Sequence, residues 1–375
     1  MAFGFFKKKG SSDKVQKKGG PHYFELTVKE IVEETSDAVS VVFDISPEDM
    51  PYKPGQFLTI ILNIDGKEVR RSYSLSSSPF KDPYLAVTIK RVEGGLVSNY
   101  IPDHLKAGDT VKVMEPMGSF TTDYDEKKKR HLVLFAGGSG ITPMMSILKS
   151  LLLKEPKSIV SLIYANRNIE SVIFKEELSN WENSQEGRLH VIHILDNAPM
   201  NWQGFSGLLN ADMLVDLFER IPDWGNEDTT YLMCGPEGMM RNVDMLLKDK
   251  GIDHDKIFKE SFVQGTIDKE KKKAEKSASE QSAPGECLVK IHYDGEVHEI
   301  KLKKDEFILE TALDKGIDLP YSCQSGLCTA CRCKKINGNV KMDEEEGLSE
   351  SELNEGYVLI CVGHPDSDVV ELEVG

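Results

Sequence analysis

Four cysteines in the last part of the 375-residue sequence have the types and spacing of metal ligands. Cys323, Cys328 and Cys331 lie in one short stretch, and Cys361 follows later, which gives the pattern C-x4-C-x2-C-x29-C. Four of the six residues between the first three cysteines are small, namely Ser325, Gly326, Thr329 and Ala330, so the chain can wind tightly there and direct three thiolates at one centre. The pattern predicts a metal site with these four cysteines as its ligands.

This spacing matches that of plant-type [2Fe–2S] ferredoxins, in which a loop gives three thiolates and a later segment the fourth. A zinc site and a disulfide framework are the alternatives. Zinc sites usually combine one C-x2-C pair with a second pair or with spaced histidines, and the sequence shows neither. Cys234, Cys287 and Cys333 are too scattered for a secreted disulfide scaffold, and we assign no role to Cys287 or Cys333. We therefore expect a cytoplasmic protein that carries a [2Fe–2S] cluster.

The charge of the chain is unevenly distributed around a net value of −16. Residues 1–20 contain six Lys and one Asp, whereas residues 286–375 contain nine Lys or Arg and 20 Asp or Glu. The acids of this last part include residues 343–346, Glu350, Glu352 and Glu355, which we expect to form an acidic patch. An acidic C-terminal part argues against a nucleic-acid partner and favours docking on a basic protein surface, although solubility alone is an alternative explanation. No apolar run approaches the roughly 20 residues of a membrane helix, so we expect no membrane span.

The elements that must position the cysteines follow from hydropathy patterns. Short alternating strands, Phe57–Ile64 among them, with frequent turn signals predict an antiparallel β-barrel over residues 21–125. Buried strands such as Leu189–Leu195 alternate with helices such as Ala211–Arg220, which predicts an α/β domain with a doubly wound parallel sheet over residues 126–264. Residues 286–375 contain a hairpin, a short helix and the cysteine loop, an order that suits a β-grasp fold. We expect residues 1–20 to be a disordered basic tail and residues 265–285 to be a linker.

Arg71-Ser72-Tyr73-Ser74 closes one strand of the predicted barrel. These types suit a flavin, because Arg binds a pyrophosphate, Tyr stacks on an aromatic ring and Ser hydrogen-bonds an edge nitrogen. An exposed strand end is the alternative interpretation.

Lys90 and the glycines Gly94 and Gly95 follow about twenty residues later, ahead of a predicted helical turn. The backbone N–H groups of such a turn can bind phosphate. An ordinary hairpin turn is the alternative here.

Three strand ends in the predicted parallel sheet carry further candidates. Residues 137–143, Gly-Gly-Ser-Gly-Ile-Thr-Pro, join the first strand to its helix, where glycines let a dinucleotide phosphate approach. Asn166 and Arg167 end the next strand at the same sheet edge, and Arg167 suits the 2′-phosphate of NADPH. Cys234-Gly235-Pro236 ends a later strand, where a buried structural cysteine is the alternative for Cys234.

Together these motifs resemble the ferredoxin–NADP reductase superfamily over residues 21–375. The resemblance implies FAD, with FMN as the alternative flavin, and NADPH as co-substrate. It implies a flavin site formed by Arg71, Ser72, Tyr73, Ser74, Ile89, Lys90, Gly94, Gly95, Val97, Ser98, Thr142 and Phe262. It implies a nicotinamide-nucleotide site formed by Gly138, Ser139, Gly140, Ile141, Asn166, Arg167, Cys234, Gly235 and Pro236. Ser74 and Cys234 would flank the reacting rings.

The order of the three domains is similar to that of oxygenase reductases. Tyr164-Ala-Asn-Arg167 and Tyr357-Val-Leu-Ile-Cys361 resemble the reductase component of phenylacetyl-CoA epoxidase. This resemblance implies a reductase that passes electrons from NADPH through flavin and cluster to an oxygenase, which would dock on the acidic C-terminal domain. A stand-alone diaphorase-like reductase of quinones or oxygen is the alternative. A non-catalytic iron–sulfur module is a second alternative, and the flavin and nucleotide motifs count against it.

Overall fold

A computed structural model describes residues 22–222, 228–262, 286–345 and 347–374. The expected tail, residues 1–20, and the expected linker, residues 265–285, lie outside the described residues. The described chain forms three domains, which we call the barrel domain, the parallel-sheet domain and the C-terminal domain. Among the helices that the structure describes, none has the length and apolar character of a membrane span.

The barrel domain is a six-stranded antiparallel sheet, in the order β4-β3-β6-β1-β2-β5. A bridge between Leu75 and Val87 connects the two end strands. Val41, Leu58 and Val113, from three different strands, are fully buried in its core. The expected antiparallel barrel is therefore confirmed. Its elements are β1 (Tyr23–Thr35), β2 (Ala38–Phe43), β3 (Phe57–Ile64), β4 (Lys67–Ser74), β5 (Leu85–Lys90), α1 (Leu96–His104) and β6 (Thr110–Met114).

The parallel-sheet domain has the strand order β10-β9-β8-β7-β11-β12, and every neighbouring pair is parallel. Helices α2 and α3 pack on one face of the sheet, and α4 and α5 pack on the other. The doubly wound architecture is therefore confirmed. The elements are β7 (His131–Gly137), α2 (Ile141–Lys154), β8 (Ile159–Asn166), α3 (Lys175–Ser184), β9 (Leu189–Leu195), β10 (Phe205–Ser206), α4 (Ala211–Arg220), β11 (Thr229–Cys234), α5 (Glu237–Asp249) and β12 (Ile257–Glu260).

The C-terminal domain has a five-stranded mixed sheet in the order β14-β13-β19-β15-β17, with α6 packed on its core. The cysteine loop, residues 323–331, lies between α6 and β15, and Cys361 follows shortly after β17. Its elements are β13 (Glu286–Tyr293), β14 (Glu296–Lys303), α6 (Ile308–Asp314), β15 (Arg332–Asn337), β16 (Val340–Met342), α7 (Glu350–Asn354), β17 (Tyr357–Leu359), β18 (Gly363–Pro365) and β19 (Val369–Val374).

Each pair of domains shares a polar side-chain contact. These contacts are Lys149 with Asp82 (2.8 Å), Tyr23 with Asp318 (3.1 Å) and His254 with Glu350 (2.9 Å). The three domains therefore meet around one region, and the candidate site lies there.

Candidate functional site

The cysteine loop brings the four predicted ligand sulfurs together. The backbone N–H groups of Ser325 and Cys328 donate to the Sγ of Cys323, both at 3.4 Å. The thiols of Cys328 and Cys361 also donate to this sulfur, which lowers the pKa of Cys323 far below its usual range. Cys361 contacts Cys331 as well. A thiolate at Cys323 is thus stabilised by donors from its own loop and by the thiol of Cys361.

The loop and its surroundings fit a binuclear iron–sulfur cluster. A [2Fe–2S] cluster needs two thiolates at each of two irons, and the contacts of Cys323 with Cys328 and Cys361, and of Cys361 with Cys331, bring four cysteine sulfurs together. The buried hydroxyl of Ser322, next to Cys323, has no hydrogen-bond partner and can donate to a sulfide. Gly326 has a φ of +77°, and a Cβ there would lie 2.8 Å from the Cβ of Glu344.

A cavity of about 500 Å³ lies where the three domains meet. This volume is typical of a site for a small ligand or cofactor. Strand β4 and helix α1 of the barrel domain form one wall, and β12 of the parallel-sheet domain forms another. Cys323 and Cys328 of the cysteine loop close the cavity from the third side. A ligand in this cavity would therefore lie directly against two of the four cluster ligands.

The barrel wall has the chemistry of an anion site. Arg71 and Lys90 line it, and the N-terminus of α1 begins after Gly95 without a side-chain cap. Uncapped N–H groups and the helix dipole favour a phosphate at that position. A Cβ at Gly95 would collide with the hydroxyl of Ser98 and lie 3.1 Å from the carbonyl oxygen of Val92, so a side chain there would displace Ser98 from its position on the cavity wall. These residues fit the pyrophosphate and ring of a flavin, with Tyr73 on the same wall.

Ser74 and Glu260 connect the barrel wall with the parallel-sheet wall. Strand β4 ends at Ser74 and strand β12 ends at Glu260, and the Ser74 hydroxyl donates to a Glu260 carboxylate oxygen at 3.3 Å. Burial raises the pKa of Glu260 to about 8, and the Ser74 hydrogen bond only partly opposes this shift. Glu260 is therefore mostly protonated at neutral pH. Because both residues line the cavity, they place a neutral acid beside a hydroxyl on its wall.

The glycine turn after β7 is packed tightly against the end of β11. A Cβ at Gly140 would collide with the carbonyl oxygen of Cys234, so the two loops touch through their backbones. Gly138 has a φ of +52° and an open side, and the Tyr164 hydroxyl donates to its carbonyl oxygen at 3.1 Å. The open backbone of Gly138 suits a phosphate.

Cys234 is fully buried, and its pKa is raised far above the usual range by burial and by Glu260. The side chain belongs to the apolar core under α2 and is not on the cavity wall. In this structure Cys234 therefore has the position of a buried structural cysteine, which was the alternative interpretation of the sequence. A role beside the nicotinamide would require a conformational change at the end of β11 that exposes the Cys234 side chain to the cavity.

The strand ends of β8 and β9 form a second, open groove. It is lined by Asn168, Ile169, Glu170, Asp196, Asn197, Ala198, Pro199 and Ser206. Arg167 is exposed and lies near Asp196. The pKa of Asp196 is raised, because the effect of burial is larger than the opposing effect of the Arg167 charge. The groove thus combines two carboxylates with one neighbouring guanidinium. Carboxylates recognise ribose hydroxyls, and a guanidinium recognises a 2′-phosphate.

The structure brings about half of the predicted site residues to the central cavity. Those on its wall are Arg71, Ser72, Tyr73, Ser74, Lys90, Gly95, Val97, Ser98, Ser139, Thr142, Phe262, Cys323 and Cys328. Those away from its wall are Ile89, Gly94, Gly138, Gly140, Ile141, Asn166, Arg167, Cys234, Gly235, Pro236, Cys331 and Cys361. Asn166 and Arg167 lie at the end of β8, close to Asn168 of the second groove, and Ile89 and Ile141 are core residues. Gly138 follows β7, and a Cβ there would lie 3.9 Å from the Nζ of Lys90, which lines the central cavity.

Sequence reasoning missed Glu260 and Arg332, both on the cavity wall. The signal for Glu260 was an acid that follows the apolar pair Ile257-Phe258 at the end of a short strand. Arg332 follows Cys331 and pairs with Glu352 at 2.5 Å. An arginine beside a cluster ligand gives no periodic or motif signal, so the sequence alone did not indicate it.

Comparison with known proteins gives three successive matches to family models. They are described as "Oxidoreductase FAD-binding domain" over residues 24–122, "Oxidoreductase NAD-binding domain" over residues 134–245 and "2Fe-2S iron-sulfur cluster binding domain" over residues 291–366.

Two relatives are similar over almost their whole length. The ferredoxin reductase component of 3-ketosteroid-9-alpha-monooxygenase from Rhodococcus rhodochrous is 37% identical, over 93% of this chain and 96% of that protein. One of the polypeptides of 1,2-phenylacetyl-CoA epoxidase from Escherichia coli (strain K12) is 34% identical, over 93% of this chain and 97% of that protein. The structure of phthalate dioxygenase reductase has a TM-score of 0.56 at 23% identity, over 94% of this chain and 98% of that one, and it shows the shared fold.

Fold, cavity and similarity together define a flavin-containing oxidoreductase with a pyridine-nucleotide domain and a [2Fe–2S] domain. The chain belongs to the family of ferredoxin reductase components of oxygenases. FAD and a [2Fe–2S] cluster are accordingly its cofactors, and a pyridine nucleotide is its electron donor. The expected superfamily resemblance is confirmed.

Proposed function

We propose that this chain reduces an oxygenase component with electrons from a pyridine nucleotide, and that its acceptor is a monooxygenase similar to phenylacetyl-CoA epoxidase. The central cavity carries this proposal, because the predicted flavin residues and two predicted cluster ligands line the same space. When bound, FAD accepts a hydride, which is two electrons at once, and releases electrons singly to an iron–sulfur centre. The similarity to the Escherichia coli epoxidase polypeptide supports the choice of acceptor.

The experiment is a coupled assay with purified oxygenase components. The chain, a pyridine nucleotide and the oxygenase of a phenylacetyl-CoA epoxidase should form epoxide and consume nucleotide in proportion. A 3-ketosteroid oxygenase is the matched comparison, because its reductase is about equally similar to this chain. If product forms with the ketosteroid oxygenase and not with the epoxidase, the ketosteroid oxygenase is the acceptor and our proposal is wrong. Nucleotide consumption with quinones, and none with either oxygenase, would favour the diaphorase-like alternative.

We propose that the residues of the cavity wall bind and orient the flavin. Arg71 and the N-terminus of α1 neutralise its pyrophosphate, and Tyr73 packs on its ring. Ser74 donates its single hydroxyl proton at the edge of the ring, in exchange for the hydrogen bond that it donates to Glu260 in the present structure. The neutral carboxyl of Glu260 then donates to the Ser74 oxygen and keeps the hydroxyl in place. Phe262, 39% exposed on the cavity wall, covers the ring where the nicotinamide must enter. Rate enhancement then depends on the alignment of two rings rather than on a strong acid or base.

We propose that NADH is the preferred electron donor, in place of the NADPH expected from the sequence. That expectation rested on Arg167 alone. The structure adds the carboxylates of Asp196 and Glu170 in the adjoining groove, where they favour a free ribose 2′-hydroxyl and repel a 2′-phosphate. The positive charge of Arg167 interacts with the carboxylate of Asp196, so little positive charge remains to attract a 2′-phosphate.

We propose that the acidic loop, residues 343–345, forms the docking surface for the oxygenase. The sequence suggested a broader patch that also included Glu350, Glu352 and Glu355. Glu350 pairs with His254 at 2.9 Å and keeps a side chain that is 60% exposed, so it can extend the surface of the acidic loop, in which Asp343 also pairs with a histidine, His364, at 3.5 Å. Glu352 and Glu355 line the internal cavity. The acidic loop remains beside the cysteine loop, because a Cβ at Gly326 would lie within 2.8 Å of the Cβ of Glu344. A basic partner surface is attracted to such a loop.

We propose a cytoplasmic location. All seven cysteines are free thiols, and Cys234, Cys287 and Cys333 are buried, which suits a reducing compartment. Fractionation of cells that express the chain tests this, and recovery in a periplasmic or secreted fraction would contradict it.

A further inference from the structure

One contact between the barrel domain and the C-terminal domain is a stack of three side chains. The guanidinium carbon of Arg70 lies 4.2 Å from the ring centre of Tyr321 and 5.6 Å from that of Tyr23. Tyr321 belongs to the C-terminal domain, whereas Tyr23 and Arg70 belong to the barrel domain. The Tyr23 hydroxyl also donates to the carboxylate oxygens of Asp318, each at 3.1 Å. We call these four residues the clasp.

The clasp is specific for arginine. The Arg70 side chain is only 9% exposed, and Glu68 accepts from its Nε at 2.9 Å and from its Nη2 at 2.8 Å. This pairing fixes the plane of the guanidinium, so its faces remain available for the two tyrosine rings. A lysine ammonium has no such plane and no second donor in the same fork. A cation–π contact is strongest where water is excluded, as it is here.

The position of the clasp connects the two redox sites. Arg70 is the immediate neighbour of Arg71, which lines the flavin cavity from the same strand. Tyr321 is two residues before Cys323, the first cluster ligand, which lines the cavity from the other side. The stack between Arg70 and Tyr321 therefore joins the flavin-binding strand to the start of the cysteine loop.

We propose that Arg70 is a positioning residue for electron transfer, and that it holds the cysteine loop at a fixed distance from the flavin-binding strand. The inference rests on the proposed function. The step concerned moves one electron from the flavin position to the cluster position, and each hydride from the pyridine nucleotide supplies two such electrons. Tunnelling falls exponentially with distance, so a small separation of the domains slows this step without affecting hydride transfer.

The test compares four single variants and one double variant of the full-length holoprotein. Arg70→Ala removes the guanidinium, Arg70→Lys keeps the charge without the plane, and Tyr321→Leu removes the ring on the other domain. Arg220→Ala is the matched control, because Arg220 stacks on Phe205 at 4.6 Å within the parallel-sheet domain alone. Two assays separate the steps: ferricyanide takes electrons from the flavin, and cytochrome c takes them from the cluster. Small-angle scattering of the oxidised proteins gives a readout that is independent of activity.

Loss of a desolvated cation–π contact should shift the equilibrium between docked and separated domains by roughly thirtyfold, which corresponds to about 2 kcal/mol. We expect Arg70→Ala to slow cytochrome c reduction, to leave ferricyanide reduction unchanged and to increase the radius of gyration. Arg70→Lys should resemble Arg70→Ala, and Arg220→Ala should resemble the unmodified protein. Tyr321→Leu combined with Arg70→Ala should add little to either single change, because both remove one contact.

Three results would overturn the inference. The first is a parallel fall of both reductase activities in Arg70→Ala, because Arg70 would then support the flavin site. The second is unchanged cytochrome c reduction and scattering, because the clasp would then position nothing. The third is full rescue by lysine, because charge alone would then suffice. If the unmodified protein fails to reduce cytochrome c, the proposed function fails and not the clasp.

Discussion

Replacement of Glu260 by glutamine is expected to change how stability depends on pH. Burial raises the pKa of Glu260 from 4.5 to about 8 in the folded protein. Between these two values the unfolded chain releases a proton that the folded chain keeps, so folded stability falls as pH rises through this window. At 1.36 kcal/mol per pKa unit, the loss in the free energy of unfolding should be on the order of 5 kcal/mol above pH 8 and absent below pH 4.5. The glutamine of the Glu260→Gln variant does not ionise, so this variant should not lose stability in that pH range.

The assay is the unfolding temperature of the holoprotein and its Glu260→Gln variant over a series of pH values. The two profiles should coincide at acid pH and diverge upward through neutral pH, with the variant more stable. Glu219→Gln is the control, because Glu219 is an exposed carboxylate of the same domain. Parallel profiles for Glu260→Gln and the unmodified protein would show that Glu260 ionises normally. Our account of a neutral acid beside Ser74 would then be refuted.

Three further predictions follow from the site. Cys331→Ser should abolish cytochrome c reduction and keep ferricyanide reduction, and loss of both would show that the domains are not independent. The unmodified protein should have a higher kcat/KM for NADH than for NADPH, and a preference for NADPH would contradict us. Asp196→Ser should raise kcat/KM for NADPH by roughly tenfold, because one repulsive contact of about 1.4 kcal/mol corresponds to a factor of ten. Arg167→Ala should lower kcat/KM for NADPH below that of the unmodified protein. Charge reversal at Glu344 and Glu345 should slow the oxygenase-coupled rate and leave ferricyanide reduction unchanged. Rising salt should also slow the oxygenase-coupled rate, because it screens the attraction between the acidic loop and a basic partner; the Debye length is about 10 Å at 0.1 M. A coupled rate that does not depend on salt would exclude electrostatic docking.

Much of the fold was predictable because its signals are local. Strand β3, strand β9 and helix α4 begin and end where the hydrophobic pattern predicted, at Phe57–Ile64, Leu189–Leu195 and Ala211–Arg220. The cysteine spacing likewise specifies its own loop, because four ligands of one cluster must converge. The short strand β12 and the last strands of the C-terminal domain were not predicted, since each owes its conformation to pairing with distant strands. The boundaries 21–125, 126–264 and 286–375 stay a prediction.

The parts of the site that the sequence did not predict depend on contacts between domains. The raised pKa of Glu260 requires burial against the barrel, and the Arg70–Tyr321 stack joins residues 251 positions apart in the chain. The pair between Glu350 of the C-terminal domain and His254 of the parallel-sheet domain is a further contact between domains that the sequence did not predict. Cys234 matched a motif, and its burial became visible only when the strand end was placed in the core.

The central claim is that electrons from a pyridine nucleotide reach a [2Fe–2S] cluster held by Cys323, Cys328, Cys331 and Cys361. The most direct test is low-temperature electron paramagnetic resonance of the holoprotein after anaerobic addition of NADH. We predict the signal of a singly reduced [2Fe–2S] cluster in the unmodified protein, and loss of that signal in Cys361→Ser while the flavin absorbance still bleaches. Bleaching of the flavin without any iron–sulfur signal in the unmodified protein would contradict the account.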